Sequence, residues 1–220
     1  MRFRIDLKIF LFAILFFLTR QIQIYATIMC FAVIHEVGHL YAGLLLGMKP
    51  EKMELMPYGL SISFKTNFED YNKKIRKANM LEIKKIMVAL AGPFVNLLIV
   101  VIISYFDFHS KQVILYANLL LAIFNMIPIY PLDGGRILKG ILHIFLGKRK
   151  SEKIINIISF IVLIILTFIS SISIYYLQNI AVFIIVMVLW CMYIKQDRIF
   201  QRKNKIYNLV EKTIENKWNK

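Results

Sequence analysis

Five apolar runs, at about residues 22–46, 86–106, 113–129, 154–175 and 177–194, are long enough or nearly long enough to cross a bilayer. In lipid a helix satisfies every backbone N–H and C=O within itself, which restricts such runs to helices. With 59% hydrophobic residues among 220, the chain carries more apolar surface than one soluble core of this size takes up. The expected fold is an all-α polytopic membrane protein. A sixth run at 9–18 is shorter and follows Arg2, Arg4 and Lys8, as the core of a signal peptide would. Residues 19–26 lack a small-x-small cleavage site, and cutting there would leave the next apolar helix as the terminus, so the run is expected to stay as the first span.

The net charge of +15 does not point to a nucleic acid, because the basic residues gather in alternate connections. The N-terminal Arg2, Arg4 and Lys8, the segment 47–85, the tract 136–153 and the region after Lys195 are all basic, whereas the intervening connections hold little more than Arg20 and Lys111. Six spans with both termini cytoplasmic satisfy this pattern. The expected division is a membrane domain over 1–194 and a basic amphipathic cytoplasmic tail over 195–220, lying on anionic lipid. Cys30 and Cys191 both fall in apolar runs and are read as packing residues. The basic connector 70–85 is read as an orientation signal.

Within the run 22–46 stands His35-Glu36-Val37-Gly38-His39. On a helix the two imidazoles share a face one turn apart and can bind one metal ion, with Glu36 beside them to carry a proton. A carboxylate at membrane depth costs several kcal/mol unless something offsets it, and a bound divalent cation does so. Of the 13 Asp and Glu residues only Glu36 and Asp133 fall inside apolar stretches. Depth agrees: His35 and His39 stand roughly three and two turns before Gly47, and Asp133 roughly four turns before Gly147. By elimination Asp133 is the expected third ligand and Glu36 the general base. One Zn²⁺ suits two neutral imidazoles and a carboxylate, with a fourth position open to water. The other histidines, His109 and His143, are read as loop and interfacial residues.

Asp133 lies in an interrupted run, Asn125-Met126-Ile127-Pro128-Ile129-Tyr130-Pro131-Leu132-Asp133-Gly134-Gly135. Paired prolines and glycines break the fourth helix, and irregular backbone at membrane depth belongs at a cavity wall. Asn125 and the backbone freed beside Pro128 are candidates to hold a substrate strand or an oxyanion. Asn96, in Ala91-Gly92-Pro93-Phe94-Val95-Asn96, is a third candidate, on a face where small residues permit close helix contact. After the second helix, Leu60, Ile62 and Phe64 alternate with Ser61, Ser63 and Lys65 behind Pro57-Tyr58-Gly59, which predicts a small β-hairpin or strand. Such an edge can hold a peptide extended by backbone pairing or serve as a cytoplasmic cover over the bundle.

Three separated motifs, His35 to His39, Ala91 to Asn96, and Asn125 through Pro128, Pro131 and Leu132-Asp133-Gly134, resemble those of the site-2 protease family of intramembrane zinc metalloproteases. The six-span layout and the strand region look most like its sporulation branch, which processes the precursor of the late mother-cell sigma factor. The resemblance implies metal on His35, His39 and Asp133, a catalytic carboxylate at Glu36, a membrane or membrane-associated protein as substrate, and inhibitory membrane proteins as partners. Members of that branch often carry a nucleotide-sensing CBS domain, for which the stretch after Ile194 has no room. A rival reading from the residues is a divalent-metal transporter with His and Asp at the middle of a bundle. It explains the ligands but gives no reason for Glu36 to follow His35, or for a single polar site.

Overall fold

The computed structural model of the chain describes residues 2–5, 17, 22–56, 59–64, 75–108, 110–177 and 181–218. The expected first span at 9–18 lies outside them apart from Phe17, as do Pro57, Tyr58, His109 and residues 70–74 of the connector. Among the described residues stand six helices and three strands, in two units that meet in sequence between Ile127 and Pro128.

The first unit holds β1 (Arg2–Ile5), α1 (Ile22–Leu45), β2 (Pro50–Met56), β3 (Gly59–Phe64), α2 (Ile75–Ser104) and α3 (Lys111–Asn125). α1 is an uninterrupted apolar helix that ends where Gly47 takes φ +73°. There the N–H of Met48 donates to the Gly43 carbonyl at 2.9 Å and that of Gly47 to Leu44 at 3.0 Å, closing the last turn. Buried Ala32, His35, His39 and Gly43 recur at three- and four-residue intervals along one face of α1, while Val37, Leu44 and Leu45 face outward. The buried face meets α2, and small residues set the distance. A Cβ on Gly38 would come within 2.8 Å of Val95 Cγ2 and 3.2 Å of the Ala91 carbonyl oxygen.

α2 passes through Pro93 without ending, as membrane helices tolerate when neighbours supply other partners. α3 packs on α2 and α1 through Ala117, Asn118 and Ala122, its buried residues. The alternating stretch read as a strand lies in β3, which pairs antiparallel with β2, Met53 opposite Ile62 and Leu55 opposite Leu60. β1 was not anticipated. It adds a parallel third strand, Arg2 opposite Lys52 and Ile5 opposite Leu55, and the order β1-β2-β3 leaves one edge of β3 without a strand partner among the described residues. The Phe64 ring of β3 lies directly against Gly43, one turn beyond His39 on α1.

The second unit holds α4 (Asp133–Leu146), α5 (Lys148–Leu177) and α6 (Ala181–Trp218). α5 packs on both neighbours through a stripe of Ser151, Ile155, Ser159, Leu163 and Ser170. The side chain of Trp190 donates to Thr167 Oγ1 at 2.9 Å and that of Asn156 to Asp197 Oδ1 at 2.8 Å, so α6 is bound to α5 by half-buried polar pairs as well as by Val186 and Leu189. The basic region expected as a tail from Lys195 continues α6 unbroken as far as Trp218.

Among the described residues three helices are long and apolar enough to cross a membrane, over Tyr25–Leu45, Asn79–Ser104 and Lys148–Tyr176. The chain is accordingly an integral membrane protein. The run at 113–129 yields only the 15 residues of α3, because Pro128 and Pro131 cannot continue a helix; Gly134 and Gly135, expected to break it as well, instead lie in the first turn of α4, which starts at Asp133.

Candidate metal centre

The two histidines of α1 are both buried, at 4% and 3% exposure. Their rings stand edge to face, 4.7 Å between centroids, so that His35 Nε2 and His39 Nε2 converge to 3.1 Å. Two imidazole nitrogens so close are either a donor and an acceptor to one another or two lone pairs aimed at one cation. The helix supplies this convergence, since positions four residues apart are neighbours on one face.

The far side of each ring meets α2. His39 Nδ1 lies 2.7 Å from the Val88 carbonyl oxygen, and the Gly92 N–H points at the same nitrogen at 3.3 Å. The short contact identifies Nδ1 as the protonated nitrogen, so that Nε2, which faces His35, carries the lone pair that could ligate a metal. His35 Nδ1 lies 3.1 Å from Nδ2 of Asn96, a side chain with no exposure at all. The other end of that amide, Oδ1, is buried without a hydrogen-bond partner among the described residues.

Gly92 stands between these two contacts. A Cβ there would lie 2.5 Å from Nε2 and Cε1 of His39 and 2.6 Å from Nε2 of His35. Those are the nitrogens a metal would use, so the missing side chain keeps the approach to both of them open. Val88, Gly92 and Asn96 follow one another at four-residue steps, and α2 presents all three to the imidazoles on a single face.

In the second unit, Asp133 opens α4 and is buried, at 4% exposure. A carboxylate in the first turn of a helix is favoured by the N–H groups exposed there. Arg136 lies one turn on, its guanidinium 3.5 Å from Asp133 Oδ1. The bend before Asp133 is closed by Leu132 N–H donating to the Ile129 carbonyl at 2.8 Å. It also relies on Gly135, whose absent Cβ would fall 2.5 Å from the backbone of Ile129 and Tyr130. Tyr130 N–H donates to Ser159 Oγ at 3.0 Å, tying the bend to α5.

The remaining candidates divide as follows. Glu36 is half-buried on α1, next to His35. Asn125, the last residue of α3, is half-buried and donates its amide to the Leu121 carbonyl at 3.0 Å. Pro128 is half-buried. Asn96, expected at the substrate, faces His35. Val88 carries no signal in the sequence, whereas Gly92 and Gly135 stand in the small-residue and broken-helix motifs, and the i, i+4 spacing of Gly92 and Asn96 already places both on one face of a helix.

Residues 107–169 match peptidase family M50. A zinc metalloprotease of Methanocaldococcus jannaschii is 37% identical over 131 residues, covering 56% of this chain and 35% of that protein. Stage IV sporulation protein FB of Bacillus subtilis is 23% identical over 136 residues, covering 59% of this chain and 44% of that protein. The chain thus spans less than half the length of these relatives. Among solved structures, the site-2 protease from Methanocaldococcus jannaschii superposes with a TM-score of 0.65 at 24% identity, covering 87% of this chain and 88% of that one. The chain is therefore similar in sequence to peptidase family M50 and to a zinc metalloprotease, and in fold to a site-2 protease.

Proposed function

We propose that the chain is an intramembrane zinc metalloprotease that hydrolyses a peptide bond in a transmembrane or membrane-associated protein. The observation that carries this reading is the convergence of two buried imidazole Nε2 atoms at 3.1 Å, immediately beside a carboxylate, on a helix apolar enough to cross a membrane. Asp133 is assigned as the third ligand, supported by the burial of its carboxylate in the first turn of α4, within an otherwise apolar run. When bound, zinc acidifies a water and polarises a carbonyl. Glu36 takes the proton from the attacking water and returns it to the leaving amine. Asn125 and the backbone beside Pro128 hold the substrate, and the free edge of β3 keeps its segment extended, since a peptide bond inside a helix is shielded from attack.

Both termini are assigned to the cytoplasm. In support, the basic β1 and the connection after α1 share one sheet and hence one side of the membrane. Activation of a sigma-factor precursor and control by inhibitory membrane proteins are narrower readings, resting on the 23% likeness to the sporulation protein. The transporter alternative is not favoured, because both the sequence and the fold likenesses are to proteases. The deciding experiment co-reconstitutes the chain with a single-span substrate carrying terminal tags. Zinc-dependent cleavage within or beside the span supports the assignment, and metal flux into sealed liposomes without cleavage overturns it.

A further inference from the structure

Asn96 has one use that neither helix packing nor substrate binding explains. Its side chain is wholly buried, its Nδ2 lies 3.1 Å from His35 Nδ1, and its Oδ1 has no hydrogen-bond partner among the described residues. A buried amide oxygen left unpaired is costly, so a position that keeps one needs a reason.

The reason lies in the proton on His35. Nε2 of His35 points at Nε2 of His39, and the two nitrogens would hold a cation through the lone pair of each. The ring protons then sit on the two Nδ1 atoms. For His39 the acceptor is already in place, the Val88 carbonyl oxygen at 2.7 Å. For His35 the facing group is Asn96, whose Nδ2 is a donor and cannot receive a proton. A half-turn of the amide about Cβ–Cγ exchanges its two ends and brings Oδ1 to the place of Nδ2, in line to accept from His35 Nδ1–H. The Asn96 atom without a partner among the described residues is thus an acceptor, the kind of group that the Nδ1 proton of the metal-binding tautomer calls for.

We propose that Asn96 is a positioning residue for the metal: its Oδ1 accepts the Nδ1 proton of His35 and so holds that imidazole in the tautomer whose Nε2 ligates. This inference rests on the reading of His35 and His39 as metal ligands. α2 thereby orients both ligands of α1, one through a backbone carbonyl and the other through an amide, and Gly92 between them keeps the ligating nitrogens uncovered. Partners of this kind, one bond removed from the metal, typically change affinity by about 10- to 100-fold when lost.

The test measures zinc affinity by chelator competition on the full chain in detergent, together with the visible absorption of the cobalt-substituted protein. Asn96→Leu should weaken zinc by about 10- to 100-fold and alter the cobalt bands, while Asn96→Asp, whose carboxylate accepts the same proton, should restore both. Asn118→Leu is the control. It removes another fully buried asparagine, which donates to Ile114 and also has an unpartnered Oδ1, but which has no hydrogen bond to either histidine. It should leave zinc affinity unchanged. Zinc affinity of Asn96→Leu within about twofold of the parent overturns the proposal, as does an equal loss in Asn118→Leu, or a raised KM with affinity intact, which is the signature of a substrate contact. If His35→Ala binds zinc as well as the parent, the metal reading itself fails. If His35→Ala loses zinc and Asn96→Leu does not, only the positioning role fails.

Discussion

The Nδ1 atom of His39 lies 2.7 Å from the carbonyl oxygen of Val88, a contact between two membrane-length helices almost 50 positions apart in sequence. It fixes the ring of His39 from behind and leaves Nε2 facing His35. The chemistry on α1 is therefore set by the backbone of α2, and the consequences can be tested by substitution.

Gly92→Ala is expected to abolish high-affinity zinc binding, because the added methyl group lies 2.5 to 2.6 Å from the two imidazole nitrogens proposed as ligands and the rings are held from behind by Val88 and Asn96. Zinc retained after dialysis against a weak chelator measures it. The methyl group on Gly38→Ala meets mainly the Val95 side chain, which can turn, so that variant should keep its zinc at some loss of thermal stability.

Glu36→Gln should leave zinc content intact and lower cleavage of a membrane substrate by about 100-fold or more, the usual contribution of a positioned general base. Metal analysis alongside the cleavage assay separates the two. Undiminished cleavage would remove Glu36 from the mechanism.

Asp133→Asn should lower zinc stoichiometry or affinity, since an amide oxygen is a weaker zinc ligand than a carboxylate. Unchanged zinc content would refute the assignment of a third ligand in the second unit.

Gly135→Ala should reduce zinc affinity although Gly135 is no ligand. Its methyl group would strike the backbone of Ile129 and Tyr130, at 2.5 Å, and push the bend that precedes Asp133. Cleavage and zinc affinity are expected to fall together, and loss of one without the other would show that the bend does not set the carboxylate.

Much of this architecture is legible from residue order alone. The runs containing Tyr25–Leu45, Asn79–Ser104 and Lys148–Tyr176 announce helices because lipid offers the backbone no other partner. The two prolines after Asn125 announce the break before α4 for the same reason. β1 was overlooked because four residues alternating basic and apolar read as an orientation signal. Their strand character depends on a partner, β2, that lies beyond a whole helix in sequence.

For the candidate site, the sequence by itself determined which groups are present and how they are spaced: two imidazoles four residues apart, a carboxylate beside the first, and one further acid in an apolar run. Those are local facts of helix periodicity and composition. Only the tertiary structure decided how the imidazoles point, because a ring's orientation and tautomer depend on what its far nitrogen meets. Here those partners are Val88 and Asn96, carried on another helix and brought within hydrogen-bonding distance by packing that small residues such as Gly38 and Gly92 make possible.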